Sequence, residues 1–108
     1  MKKLPADFEY LREMYADDYF PSFLVDKLRD LIKETVAFLE NGNHPKEQVQ
    51  RELDRMVLKM NQVQEEFEEN GSEIETVARE TIADTLEQIL KYFEIDIDIE
   101  EAIRERDW

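Results

Sequence analysis

The chain has 108 residues, no cysteine and a formal net charge of −14. The length suits one domain, and the lack of cysteine excludes a disulfide framework, a thiolate zinc site and a cysteine nucleophile. A field this negative repels phosphate backbones and anionic membrane surfaces, so nucleic acid and lipid are not expected partners.

Hydrophobic residues make up 42% of the chain, enough for a real core. Two Gly and three Pro are few, and scarce turn residues favour a few long helices over a strand-rich fold. The punctuation predicts an all-α fold. Three long helices form an antiparallel bundle, flanked by a short N-terminal and a short C-terminal helix, with residues 1–108 as a single domain.

The first helix is expected from about Pro5 to Tyr15, since proline suits a first helical turn and Phe8, Leu11 and Met14 recur on one face. Tyr19, Phe20 and Phe23 are read as an aromatic knot that pins this helix to the bundle. The second helix runs from Ser22 or Phe23 to Asn41, where Asn41-Gly42 is a stop signal. The third begins at Pro45 and ends at Asn70-Gly71, with an apolar stripe through Val49, Leu53, Met56, Met60 and Phe67. Its length leaves room for a homodimer seam beside the monomer reading. The lone His44 is read as a loop or capping residue.

The fourth helix has the clearest start: Ser72 and Glu75 fit a capping box, each side chain reaching the other's backbone donor. Arg79 is expected to pair with Glu75 one turn earlier. The segment Ile95–Ile99 alternates apolar and acidic residues but has no second strand to join. It is read as an extended linker in which Asp98 caps a short helix from about Ile99 to Arg106. The sole tryptophan, Trp108, is expected to fold back on the bundle.

The charge is uneven. Residues 1–60 hold 12 acids and 10 bases, a net of −2, whereas residues 61–108 hold 16 acids and 4 bases, a net of −12. The densest part is Gln64-Glu65-Glu66-Phe67-Glu68-Glu69-Asn70. Glu65 and Glu69 are like charges at i,i+4, and they lie at a helix C-terminus where the dipole also disfavours anions. Tolerating two local penalties is what a cluster with a use would do. The first reading is therefore a non-enzymatic acidic module that docks a basic protein, in the manner of an immunity protein or inhibitor. Glu65, Glu66, Glu68, Glu69, Glu73, Glu75 and Arg79 would form its partner-facing cluster.

The second reading is enzymatic. Glu65-Glu66-x-x-Glu69 followed by Asp84 looks something like the all-helical nucleotide pyrophosphohydrolases of the MazG type, whose carboxylates hold magnesium or manganese against a triphosphate. Glu65, Glu66, Glu69, Glu80 and Asp84 would be the metal ligands. The second half of that pattern departs from the type: the acid before Asp84 is Glu80, four residues earlier, where the family places it three earlier.

The stretches from Tyr19 to Lys27 and from Gln64 to Glu80, with the ending Arg106-Asp107-Trp108, resemble a small bacterial family of short single-domain proteins of unknown function. The resemblance implies no activity, cofactor or site. It does imply that the block from Glu65 to Glu80 is the family's hallmark. With no apolar run behind Lys2-Lys3 and no stretch near the ~18 apolar residues of a membrane span, the protein is read as cytoplasmic.

Overall fold

A computed structural model describes residues 2–108. It contains five helices and, among the described residues, no strand: α1 Arg12–Tyr15, α2 Ser22–Glu40, α3 Lys46–Glu69, α4 Thr76–Tyr92 and α5 Ile99–Ala102. α2 and α3 are the closest pair. They form an antiparallel hairpin whose register is fixed by Lys27 pairing with Glu66, Arg55 with Glu34, and the Thr35 hydroxyl donating to Glu52 at 2.9 Å. α1 packs on α4, and α5 bridges α3 and α4.

The core is continuous. Leu24, Leu28, Ile32, Leu53, Met56, Met60, Phe67 and Ile82 are all within 1% of full burial, and each sits on the apolar stripe that the three- and four-residue spacing defines. The Met56/Met60/Phe67 stripe of α3 is spent inside this core.

The first helix is much shorter than the spacing suggests. It begins at Arg12, not near Pro5, because Leu11 adopts a left-handed φ of 52°. That kink lets Leu11 and Met14 both reach complete burial, while Phe8 and Tyr10 meet edge to face at 5.0 Å. So short a helix has little stability of its own, so tertiary burial decides its boundary. The preceding residues form a strap: the Leu4 N–H donates to Glu40 at 2.8 Å, and the Tyr92 hydroxyl donates to the Lys3 carbonyl at 2.6 Å.

The expected capping box is absent. The Ser72 N–H bonds the Phe67 carbonyl at 2.8 Å and the Gly71 N–H bonds Glu68 at 3.2 Å, with Gly71 at φ 74°. This is a Schellman closure, in which Ser72 terminates α3 instead of starting α4. α4 begins four residues later at Thr76, flanked by an extended Glu75 whose side chain caps nothing. The Ser72 hydroxyl is buried with no hydrogen-bond partner. A capping serine loses about 1 kcal/mol on replacement by alanine, whereas deleting an unpaired buried hydroxyl does not destabilise. Ser72→Ala is therefore expected to leave the urea midpoint unchanged or raised.

A second Schellman closure ends α4 without glycine. The Ile95 N–H bonds Leu90 at 2.9 Å, the Glu94 N–H bonds Lys91 at 3.0 Å, and Glu94 itself carries a φ of 57°. A left-handed side-chain-bearing residue costs about 1–2 kcal/mol, while glycine there costs about 0.4–1 kcal/mol through the freer unfolded chain. Among the described residues, the one ion pair lost is the exposed, 3.8 Å contact to Lys2. Glu94→Gly should therefore stabilise the fold by about 0.5–1 kcal/mol in chemical denaturation.

The C-terminal segment runs back along α3. Asp98 caps α5 by accepting from the Glu100 N–H at 3.1 Å, as expected. α5 ends at Ala102, short of Arg106, because the following residues turn so that Arg104 can fork onto Asp54 at 2.8 and 3.2 Å. Asn61 then grips both the Glu105 carbonyl and the Asp107 N–H. Trp108 is buried on the bundle.

A candidate docking surface at the acidic end of the bundle

The end of the bundle built from the α3–α4 connection gathers the acidic block. The helical period sends Phe67 inward, where it meets Phe20 edge to face at 6.3 Å, and leaves its neighbours outside. Glu65, Glu68, Glu69 and Glu73 are exposed, and none makes an ion pair among the described residues. Glu66 differs, since Lys27 of α2 holds it in an ion pair. The connection is pinned from below, with the Ile74 N–H donating to Gln64 Oε1 at 2.8 Å and the Asn70 amide donating to the Glu66 carbonyl at 2.8 Å. The carboxylates are thus carried on a fixed turn.

The remaining predicted residues are placed differently. Glu75 flanks the start of α4, and Arg79 does not pair with it; the Arg79 guanidinium donates to the Thr76 hydroxyl at 3.1 Å instead. The reason is that Glu75 lies outside the helix in an extended conformation, so the i,i+4 geometry is lost. Glu80 and Asp84 lie exposed along α4, where Asp84 accepts from Gln88 at 2.8 Å. Among the described residues, no group of three or more His, Asp or Glu side chains is placed to hold a metal ion. Glu65, Glu66, Glu69, Glu80 and Asp84 are not gathered into one centre.

Composition alone did not reveal an aromatic component. The expected aromatic knot at the corner before α2 forms in part: Tyr19 meets the buried Phe20 edge to face at 5.0 Å, but Tyr19 is 45% and Phe23 54% exposed. Lys27 reaches Glu66 across the hairpin, so Phe23, one turn earlier on the same face, stands level with the end of α3. Tyr15 closes the corner by donating to Asp26 at 2.6 Å. Burial, and then that bond, push its phenol up to about 12. The signal for this patch was the spacing of Phe23 from the buried Leu24, Leu28 and Ile32, which leaves it off the core stripe.

At the opposite end lies a cleft of about 480 Å³, lined among others by Lys2, His44, Lys46, Phe93, Glu94 and Asp96. Its charges are of both signs, and Lys2 and Glu94 already pair there. His44 is committed to structure: its ring stacks on Phe38 at 3.9 Å, and Nε2 lies 3.0 Å from the Phe38 carbonyl. A carbonyl only accepts, so Nε2 carries the proton and caps the end of α2.

Between the two ends, Glu52 is the carboxylate most committed to the fold. Burial raises its pKa, but hydrogen bonds from Arg55 and Thr35 outweigh that and hold it below the ordinary value of 4.5. A depressed folded-state pKa contributes stability that is present above the unfolded value and lost as pH falls through the folded one. The urea midpoint should therefore drop below about pH 4.5 in the wild type, and drop less steeply in Glu52→Gln.

Residues 4–108 match the family of unknown function DUF5713, and the chain belongs to that family. No curated protein and no solved structure matches the chain. None of the described helices is long and apolar enough to cross a membrane.

Proposed function

We propose that this family member is a non-enzymatic binding module that docks a basic protein surface at the acidic end of the bundle, in the manner of an immunity protein or inhibitor. One observation carries the reading. Glu65, Glu68, Glu69 and Glu73, four exposed carboxylates with no ion pair among the described residues, stand on the last two turns of α3 and the pinned connection after it, at the end of the bundle where Phe20 meets Phe67 and where the exposed rings Tyr19 and Phe23 flank Phe20 in sequence. The carboxylates steer and select a cationic partner. The rings supply desolvated contact area and faces on which Arg or Lys side chains can rest. Cytoplasmic action is part of the same proposal.

The test is a pull-down with the tagged chain from the source organism's lysate, at low and at high salt, with mass spectrometry of the eluate. A single basic protein retained at low salt and released at high salt supports the reading, because exposed charge pairs are screened. A partner held equally well at both salt concentrations, or no partner at all, counts against it.

A further inference from the structure

The chain carries two Asn-Gly pairs, Asn41-Gly42 and Asn70-Gly71, and in both an exposed asparagine closes a long helix. Asn-Gly is also the dipeptide whose backbone reacts most readily with its own side chain. The glycine nitrogen lies within reach of the asparagine carboxamide, and no Cβ shields it. The two pairs share the same local sequence, Glu-Asn-Gly, so their intrinsic reactivities match. Space does not separate them either, since a Cβ on either glycine would meet nothing within 4 Å. Their hydrogen bonds separate them.

At Asn70-Gly71 both reacting groups are tied down. The Gly71 N–H, whose nitrogen would be the nucleophile, donates to the Glu68 carbonyl at 3.2 Å, and the Asn70 carboxamide donates to the Glu66 carbonyl at 2.8 Å. The Ser72 N–H closes on the Phe67 carbonyl at 2.8 Å, so turning the Asn70–Gly71 peptide outward breaks that bond too. Asn41-Gly42 is held differently. The Asn41 N–H donates to the Phe38 carbonyl at 3.2 Å. Among the described residues, the Asn41 carboxamide and the backbone N–H groups of Gly42, Asn43 and His44 have no hydrogen-bond partner. Gly42 sits at φ 146°, and the turn is fastened by the His44 ring on Phe38 and not by its own backbone. The Asn41–Gly42 peptide therefore rotates toward the reactive arrangement without breaking a backbone hydrogen bond.

We infer that Asn41 is a site of spontaneous deamidation in the folded protein, and that the fold protects Asn70 from the same reaction. The Gly42 nitrogen gives its proton to solvent and bonds to the side-chain carbonyl carbon of Asn41. The bond from that carbon to Nδ2 breaks, and the nitrogen leaves as ammonia with a proton from solvent. A cyclic imide remains. Water opens it at the side-chain carbon to give aspartate, or at the backbone carbon to give isoaspartate, in which the main chain runs through the side chain. One water is consumed and one ammonia released, and nothing is oxidised or reduced. The new carboxylate stands at the C-terminal end of α2, beside the cleft that Gly42, Asn43 and His44 line, at the end of the bundle away from the acidic docking surface. At Asn70 the same step must first open at least two hydrogen bonds, which lowers the rate about tenfold, or ~1.4 kcal/mol.

The test follows the wild-type full chain at neutral pH and physiological temperature, with mass spectrometry of the two Asn-Gly peptides after digestion. The Asn41 peptide should gain one dalton and split into aspartyl and isoaspartyl forms, about tenfold or more faster than the Asn70 peptide. In urea that unfolds the chain the two rates should converge, because only the fold distinguishes the sites. Asn41→Gln should remove the acidic species that accumulates on ion exchange. An Asn41 that stays intact in the native chain overturns the inference, as does an Asn70 that converts as fast as Asn41 before unfolding.

Discussion

Phe67→Ala should remove about 3–5 kcal/mol of folding stability, a large fraction of what a domain of this size possesses. Phe67 is fully buried. It sits where three parts of the structure converge: its ring meets Phe20, its carbonyl accepts the Schellman bond from Ser72, and its helix ends two residues later. Deleting the ring leaves a cavity between the corner before α2 and the end of α3 that the pinned turn cannot collapse to fill. The transfer and cavity terms therefore add. Urea denaturation followed by circular dichroism reads the change directly. Phe20→Ala should cost less than the same sum taken independently when combined with Phe67→Ala, because residues in contact are not additive.

Trp108 gives the second large effect, with a sharper internal contrast. Only 7% of it is exposed, and the Arg106 guanidinium lies 5.9 Å from its ring. Trp108→Ala is expected to cost about 3–5 kcal/mol, as for other buried aromatics. Its indole N–H, however, is buried with no acceptor. An unpaired buried donor costs about 1–3 kcal/mol, so Trp108→Phe, which keeps most of the ring and discards the donor, should fall within about 1 kcal/mol of wild type. As the only tryptophan in the chain, it also reports on its own docking: native emission should be blue-shifted and move to the red on unfolding. A large loss for Trp108→Phe would show that the indole N–H has a partner in solution.

The long helices were legible because their signals are local and redundant. Asn41-Gly42 and Asn70-Gly71 each placed a glycine where a left-handed conformation closes the helix, and Gly71 adopts it. The buried stripes of α2 and α3 follow directly from residue spacing. What was not legible depended on competition between local and distant terms. Ser72 and Glu75 spell a capping box, but the Ser72 N–H closes the preceding helix instead, and local sequence does not say which helix wins. Leu11 and Glu94 adopt left-handed backbone with ordinary side chains, and no residue type announces that. Their cost is met by burial of Leu11 and by the closing bonds around Glu94.

The candidate site divides along the same line. Charge counting found the acidic end, since net charge needs no geometry. The exposure of Phe23 and Tyr19 beside it required the hairpin register, which Lys27 and Glu66 set across 39 residues of sequence. Glu66 itself was counted as a partner-facing acid and is occupied by Lys27. The exposed carboxylates of this block with no ion pair among the described residues are Glu65, Glu68, Glu69 and Glu73.

The most direct test of the docking surface compares two baits in one lysate capture at low salt: the wild-type chain and a variant with Glu65, Glu68, Glu69 and Glu73 all changed to Gln. The substitutions lie on exposed side chains, and removing repulsion at the C-terminal end of α3 should not weaken the fold. The account predicts a basic protein on the wild-type bait that is missing from the glutamine bait, although the glutamine bait keeps the helical content and unfolds at a midpoint no lower than the wild type. The same proteins recovered in equal amount on both baits would contradict it, and would leave the acidic end as a solvated surface with no docking role.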